Sequence, residues 1–311
     1  MKKLVSCLLF FAFAKAVTAQ QDPQYSQYMY NPIVVNPAYA GNRGVASIVG
    51  LHRSQWVGLD GAPHTQTLSF HTPLSNSRVG IGLSIVNDEI GPADETYVAA
   101  DFSYTLLVGD QARLSFGIKG GIHVLNVDYR RLNPFDLGDP RLSENIDNKL
   151  SPTLGLGLYY HTEKLYLGLS SPNLLQTDHF DGTENNRSTT YIAQERIHLF
   201  ATAGYVFDLN EDVKFKPATM LKLVQGAPVQ IDLSANFLFN DRLTLGVAYR
   251  WSAAVTGLVG FQISDQMMIG FAYDRETTAL GNAIFNDGSY ELFLRFELFN
   301  NYERIITPRF F

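Results

Sequence analysis

Seven histidines, His52, His64, His71, His123, His161, His179 and His198, are the side chains of this 311-residue sequence best suited to hold a metal or act as a base. They are dispersed, with no helical i, i+4 pair and no HExxH run. A zinc site or a Ser/His/acid hydrolase assembled only in space stays open as an alternative, because triads are defined by geometry. No GxSxG elbow stands behind it. Cys7 is the one cysteine, so there is neither a disulfide framework nor a cysteine metal centre. Asp136, Asp139, Glu144 and Asp147 could offer oxygens to calcium. Their spacing is not that of an EF-hand loop, and Pro140 and Arg141 interrupt it, which reads as a solvated loop. Gly80-Ile81-Gly82 and Gly155-Leu156-Gly157 resemble fragments of phosphate-binding motifs, but no helix follows to present its N–H groups. They read as strand glycines on a face too crowded for large side chains. The expectation is no catalytic residue, no cofactor and no metal.

The elements that would carry these residues are strands. Leu114, Phe116, Ile118, Ile122 and Val124 alternate with Ser115, Gly117, Lys119, Gly121 and His123. The same two-residue period runs through Leu154–Tyr160, Val229–Phe237, Leu243–Trp251 and Tyr290–Leu298. One face is apolar with aromatics at the segment ends; the other is small, polar or charged. The composition agrees: 46% hydrophobic, 17% charged, with 21 Phe, 16 Tyr and 25 Gly. There is no run of about 20 apolar residues to form a membrane helix. Segments of about ten residues exceed the usual five or six of soluble sheets. The pattern predicts an all-β fold, a transmembrane antiparallel β-barrel of about fourteen strands. Strands should begin near Val45, His64, Arg78, Thr96, Ala112, Pro152, Lys164, Arg196, Val213, Val229, Arg242, Ala254, Met267 and Ser289. Both ends of the barrel chain would lie on the periplasmic side. Short turns such as Phe239-Asn240-Asp241 should mark one end and long polar loops the other. A soluble propeller or sandwich is the rival. Lys119, Arg250, Asp274 and Arg295 fall on the inner face, where they would form internal salt bridges or line a pore.

Residues 1–19 read as a cleaved signal peptide, with Lys2 and Lys3 before an apolar run and Val17-Thr18-Ala19 before the cut. Cleavage removes Lys2, Lys3 and Lys15 and so makes a chain of formal net charge −6 more acidic still. That balance argues against nucleic acid as a partner. Residues 20–44 form a Tyr/Pro-rich segment, expected in the periplasm. Pro23, Pro32 and Pro37 exclude a regular helix or central strand, and Tyr25, Tyr28, Tyr30 and Tyr39 suggest packing against something. It could be a plug or lid of this barrel, a partner-docking surface, or both. Residues 45–299 form the barrel and 300–311 a C-terminal tail.

The stretch QDPQYSQYMYNPIVVNPAYAG, followed by His52-Arg53-Ser54-Gln55-Trp56-Val57-Gly58-Leu59-Asp60-Gly61-Ala62-Pro63-His64-Thr65, resembles the PorP/SprF family of type IX secretion outer-membrane proteins from Bacteroidetes. The resemblance runs to the terminal Pro308-Arg309-Phe310-Phe311. It implies an integral outer-membrane barrel that does no chemistry and serves secretion or gliding motility. Its implied partners are outer-membrane lipid, a secreted substrate with a C-terminal sorting domain such as an adhesin, and periplasmic ring or peptidoglycan-binding proteins. Tyr25, Tyr28, Tyr30, Trp56 and Asp60 are the residues expected to dock a partner. A passive porin for small solutes is the alternative.

Overall fold

The computed structural model describes residues 23–74, 78–109, 111–132, 145–175 and 196–298. The signal peptide, the acidic positions Asp136, Asp139 and Glu144, His179 and the tail 300–311 lie outside the described residues.

The alternating segments are all strands. They are β1 (Ala46–Ser54), β2 (His64–Pro73), β3 (Val79–Ile90), β4 (Ala93–Leu107), β5 (Arg113–Val127), β6 (Ile146–His161), β7 (Leu165–Ser171) and β8 (His198–Tyr205). Then follow β9 (Phe207–Asp208), β10 (Val213–Val224), β11 (Gln230–Phe239), β12 (Leu243–Arg250), β13 (Ala254–Gln262), β14 (Met267–Glu276) and β15 (Ser289–Leu298). β9 is the short continuation of β8 past Val206, and both pair with β10, so the wall has fourteen staves. Each stave pairs antiparallel with its sequence neighbours, and β15 returns to β1, from Ala46↔Leu298 to Ser54↔Tyr290. That seam closes the cylinder. Eleven strands begin within one residue of the position read from the alternation, and β8 begins two residues late, at His198. β4 begins three residues early, at Ala93, and β6 six residues early, at Ile146. The early part of β6, Ile146-Asp147-Asn148-Lys149, has no apolar alternation because it extends past the apolar zone beside the end of β5.

The burial is inverted relative to a soluble protein. Leu68, Ile118, Leu156, Leu169, Val247 and Leu292 are exposed on the outside of the wall. Arg53, Lys119, Lys216, Asp274, Glu291 and Arg295 are buried on the inside. This is the polarity of a barrel that meets hydrocarbon outside and polar groups within. Aromatic contacts such as Phe207–Phe215–Phe237 join neighbouring staves near the end at which β1 starts.

At that end the staves are joined by residues 74–78, 108–112, 162–164, 209–212, 240–242 and 263–266. Asn240 and Asp241 both take left-handed φ values, 49° and 53°, as a tight hairpin requires. The opposite end carries the longer connections 55–63, 128–145, 172–197 and 277–288. The expected separation into short turns and long loops is incomplete, because 91–92 and 251–253 are also short and lie at the long-loop end.

A cation on the outer face should be costly. Ile118→Arg, on the outside of β5, should lower folding stability in lipid vesicles by roughly 2–4 kcal/mol if it sits near the bilayer midplane. Urea titration checks this, and an unchanged midpoint would contradict a lipid-facing Ile118.

Candidate functional site

A fourteen-stave cylinder is wider than the eight-stave kind that wall side chains can fill. Here the N-terminal segment fills it. Three one-turn 3-10 helices, Tyr28–Tyr30, Pro32–Val34 and Pro37–Tyr39, run through the lumen before β1. The prolines begin the second and third turns, where a missing N–H costs nothing. Ile33 and Ala38 are 0% exposed, and Tyr25, Tyr28, Met29, Tyr30 and Tyr39 are all buried. The segment is therefore an internal plug and not a lid across the mouth. It descends from Gln24, bonded to Gln230 beside the long loops, to Arg43, paired with Glu297 beside the short turns.

The upper half of the plug is held by charge. Arg53 on β1 donates to Asp274 Oδ2 on β14 (2.6 Å) and to Glu291 Oε2 on β15 (3.0 Å). Glu291 accepts the backbone N–H groups of Ser26 (2.9 Å) and Gln27 (2.8 Å), and the Ser26 hydroxyl donates to Asp274 (2.6 Å). Tyr25 meets Thr67 Oγ1 at 2.8 Å, and Tyr30 stacks on Phe293 with ring centres 4.4 Å apart. Two carboxylates buried on neighbouring strands need the guanidinium between them.

Above the Arg43–Glu297 pair, the lower half is held by fit. A Cβ on Gly117 would run into the backbone of Ala38, one on Gly80 into the carbonyl of Ala40, one on Gly157 into Asn36, and one on Gly82 into Ile33. Gly80 and Gly117 thus make room for the plug backbone and Gly82 and Gly157 for its side chains, whereas Gly155 abuts the Pro172 carbonyl. Hydroxyls of Ser103 and Ser170 donate to the carbonyls of Ala40 (2.6 Å) and Val35 (2.7 Å), and Asn36 Nδ2 donates to Leu158 O (3.0 Å). The two serine bonds satisfy plug backbone that forms no sheet, and the Asn36 bond ties the plug to strand β6.

The inner charges expected to pair do so: Lys119 with Asp101 (3.0 Å), Arg250 with Asp232 (3.0 Å), Arg53 with Asp274, and Arg295 with Glu297 (3.2 Å). His123, His161 and His198 are buried on the inner face, and so is His71. His123 stacks on Tyr97 (4.2 Å) beside Glu95, and His161 lies 3.3 Å from Asn42 Oδ1. Among the described residues no group of three or more His, Cys, Asp or Glu side chains is placed to share a metal.

The five docking candidates separate. Tyr25, Tyr28 and Tyr30 have their rings buried inside the wall, where the lumen takes up their apolar surface. Trp56 and Asp60 lie in the loop 55–63 at the long-loop end, where Asp60 is exposed and Trp56 half-buried. Trp56 has φ 45°, rare for a bulky residue. Sequence reasoning missed the partner of this loop. Val57 N–H donates to Gly288 O and Asp287 N–H donates to Val57 O, both at 2.8 Å, which ties loop 55–63 to loop 277–288. Ile284 and Phe285 in the second loop are 90% and 69% exposed.

A closed antiparallel wall, apolar outside and charged inside, with its own N-terminal segment in the lumen, defines an integral outer-membrane β-barrel. The profile described as "Type IX secretion system membrane protein PorP/SprF" matches residues 17–296, and the chain belongs to that family. No curated protein matches the sequence. Among solved structures, the chain is similar in fold to the CymD monoaromatic hydrocarbon channel, at 12% identity and TM-score 0.52, over 89% of this chain and 94% of that one. It also matches the Acinetobacter baumannii outer membrane protein Omp33 at 9% identity and TM-score 0.45, over 82% of this chain and 98% of that one. A Pseudomonas aeruginosa FadL homologue matches at 13% identity and TM-score 0.45, over 89% and 95%.

Removing the guanidinium strands two buried carboxylates. Arg53→Met should destabilise the folded barrel by about 3–5 kcal/mol, while Arg53→Met with Asp274→Asn and Glu291→Gln recovers part of the loss. Denaturant titration of the purified variants checks this; a neutral single substitution would contradict the charge clamp.

Proposed function

We propose that the protein is a non-enzymatic, occluded barrel that docks partner proteins in type IX secretion. Its partner would be a large secreted substrate with a C-terminal sorting domain, such as an adhesin, delivered to or attached at the cell surface. A link to periplasmic ring or peptidoglycan-binding proteins through the short-turn end is the second contact the family implies. The observation that carries this reading is the filled lumen. A wall shaped by Gly80, Gly82, Gly117 and Gly157 around residues 33–40 is built to keep a plug, which favours a scaffold over a passive porin. Family membership supplies the pathway. In such barrels the long loops face outward and the short turns face the periplasm, so Trp56 and Asp60 would meet a partner at the surface.

Cells lacking the chain should lose surface delivery of at least one sorting-domain protein, and the purified barrel should give no stable open channel in planar bilayers. An unchanged set of secreted proteins would contradict the secretion role. A steady ohmic conductance would favour the porin.

A further inference from the structure

The loop platform above the plug has a composition and rigidity of its own. Loops 55–63 and 277–288 are joined by the two backbone bonds of Val57, and Trp56 N–H donates to Ser289 Oγ (3.1 Å). Gly91 N–H donates to Gly61 O (3.0 Å), which brings in the 91–92 hairpin. Gly58, Gly61, Gly91 and Gly288 all adopt positive φ, and a Cβ on Gly58 would collide with the Phe285 carbonyl. Tyr273 OH reaches Asp287 O from below (3.1 Å). The backbone is thus pinned, yet it holds out Ile284 and Phe285, the two most exposed large hydrophobics among the described residues. An apolar tip held at such exposure on a fixed backbone marks a contact surface and not a folding accident.

The charge beside the tip selects what it contacts. Loops 55–63, 91–92 and 277–288 contain Asp60 and Asp287, both exposed, and no lysine or arginine. Arg275, at the end of β14, donates to the Asn286 carbonyl (3.1 Å). In the neighbouring connection after β5 a cation sits on the acid: Arg130 folds back on Asp128 at 2.8 Å, and together with Asn145 it pulls that carboxyl down to about 2. The anionic headgroups of an outer leaflet would be repelled by Asp60 and Asp287, whereas a cationic polypeptide would be attracted. Resting on the docking reading above, we propose that this platform receives a segment of the exported partner that combines lysine or arginine with an apolar side chain. Ile284 and Phe285 take the apolar group, and Asp60 and Asp287 take the cation.

The test places a photoreactive benzoylphenylalanine at Ile284 in the full chain in living cells. Illumination should join the chain to an exported protein with a C-terminal sorting domain, identified by mass spectrometry. Asp60→Lys with Asp287→Lys should cut that adduct and the partner's surface delivery at least about tenfold, and Asp60→Asn with Asp287→Asn should cut them less. Ile284→Ser with Phe285→Ser should cut surface delivery as far as the charge reversal does. Retention of the heat-dependent gel shift would show that each variant folds. Adducts with lipopolysaccharide alone, or full delivery by both the lysine and the serine double variants, overturn the proposal. If cells lacking the whole chain still deliver every sorting-domain protein, the docking function itself fails, which is a separate result.

Discussion

Every amide of the wall must find its partner within the wall, because hydrocarbon supplies none. That constraint forces the ladder to close, and it closes where β15 meets β1 over nine residue pairs. Closure at fourteen staves sets a circumference, and the circumference leaves a lumen that inward side chains alone do not fill. Residues 23–44 occupy that space. Glycines on β3, β5 and β6 give the plug backbone room, serine hydroxyls and Glu291 take up its unpaired polar groups, and Arg53 holds Glu291 and Asp274 together.

The wall was legible in the sequence because a period of two survives in any strand with different media on its faces. Leu114 to Val124 against Ser115 to His123 states the orientation of β5 directly, and the inner charges Lys119, Arg250, Asp274 and Arg295 followed by parity. The depth of the plug was not legible. Its 3-10 turns and prolines carry no period, and its main clamp joins Ser26 to Glu291, 265 residues away. Tyrosines at 25, 28 and 30 read equally well as packing or as docking groups. The closed wall places them inside.

The platform shows the same division. Trp56 and Asp60 stood out as part of a long motif, but Ile284 and Phe285 did not, because their loop has no motif. What brings the two loops together is the seam itself: β1 and β15 are neighbours, so the loops that follow one and precede the other share a rim. The clamp lies directly beneath, since Arg53 is three residues from Trp56 and Glu291 is two from Ser289. In the docking proposal the surface that meets a partner and the groups that hold the plug are therefore parts of one rigid corner.

This barrel is a closed wall occupied within by its own N-terminal segment. Thiol accessibility checks this occupancy: Ile33→Cys, Ala38→Cys and, as an exposed control, Thr278→Cys are treated with a maleimide in detergent before and after thermal unfolding. The control thiol at position 278 should react at once in the folded protein, while the thiols at 33 and 38 should react only after unfolding. Equal reaction at all three positions in the folded barrel would contradict it.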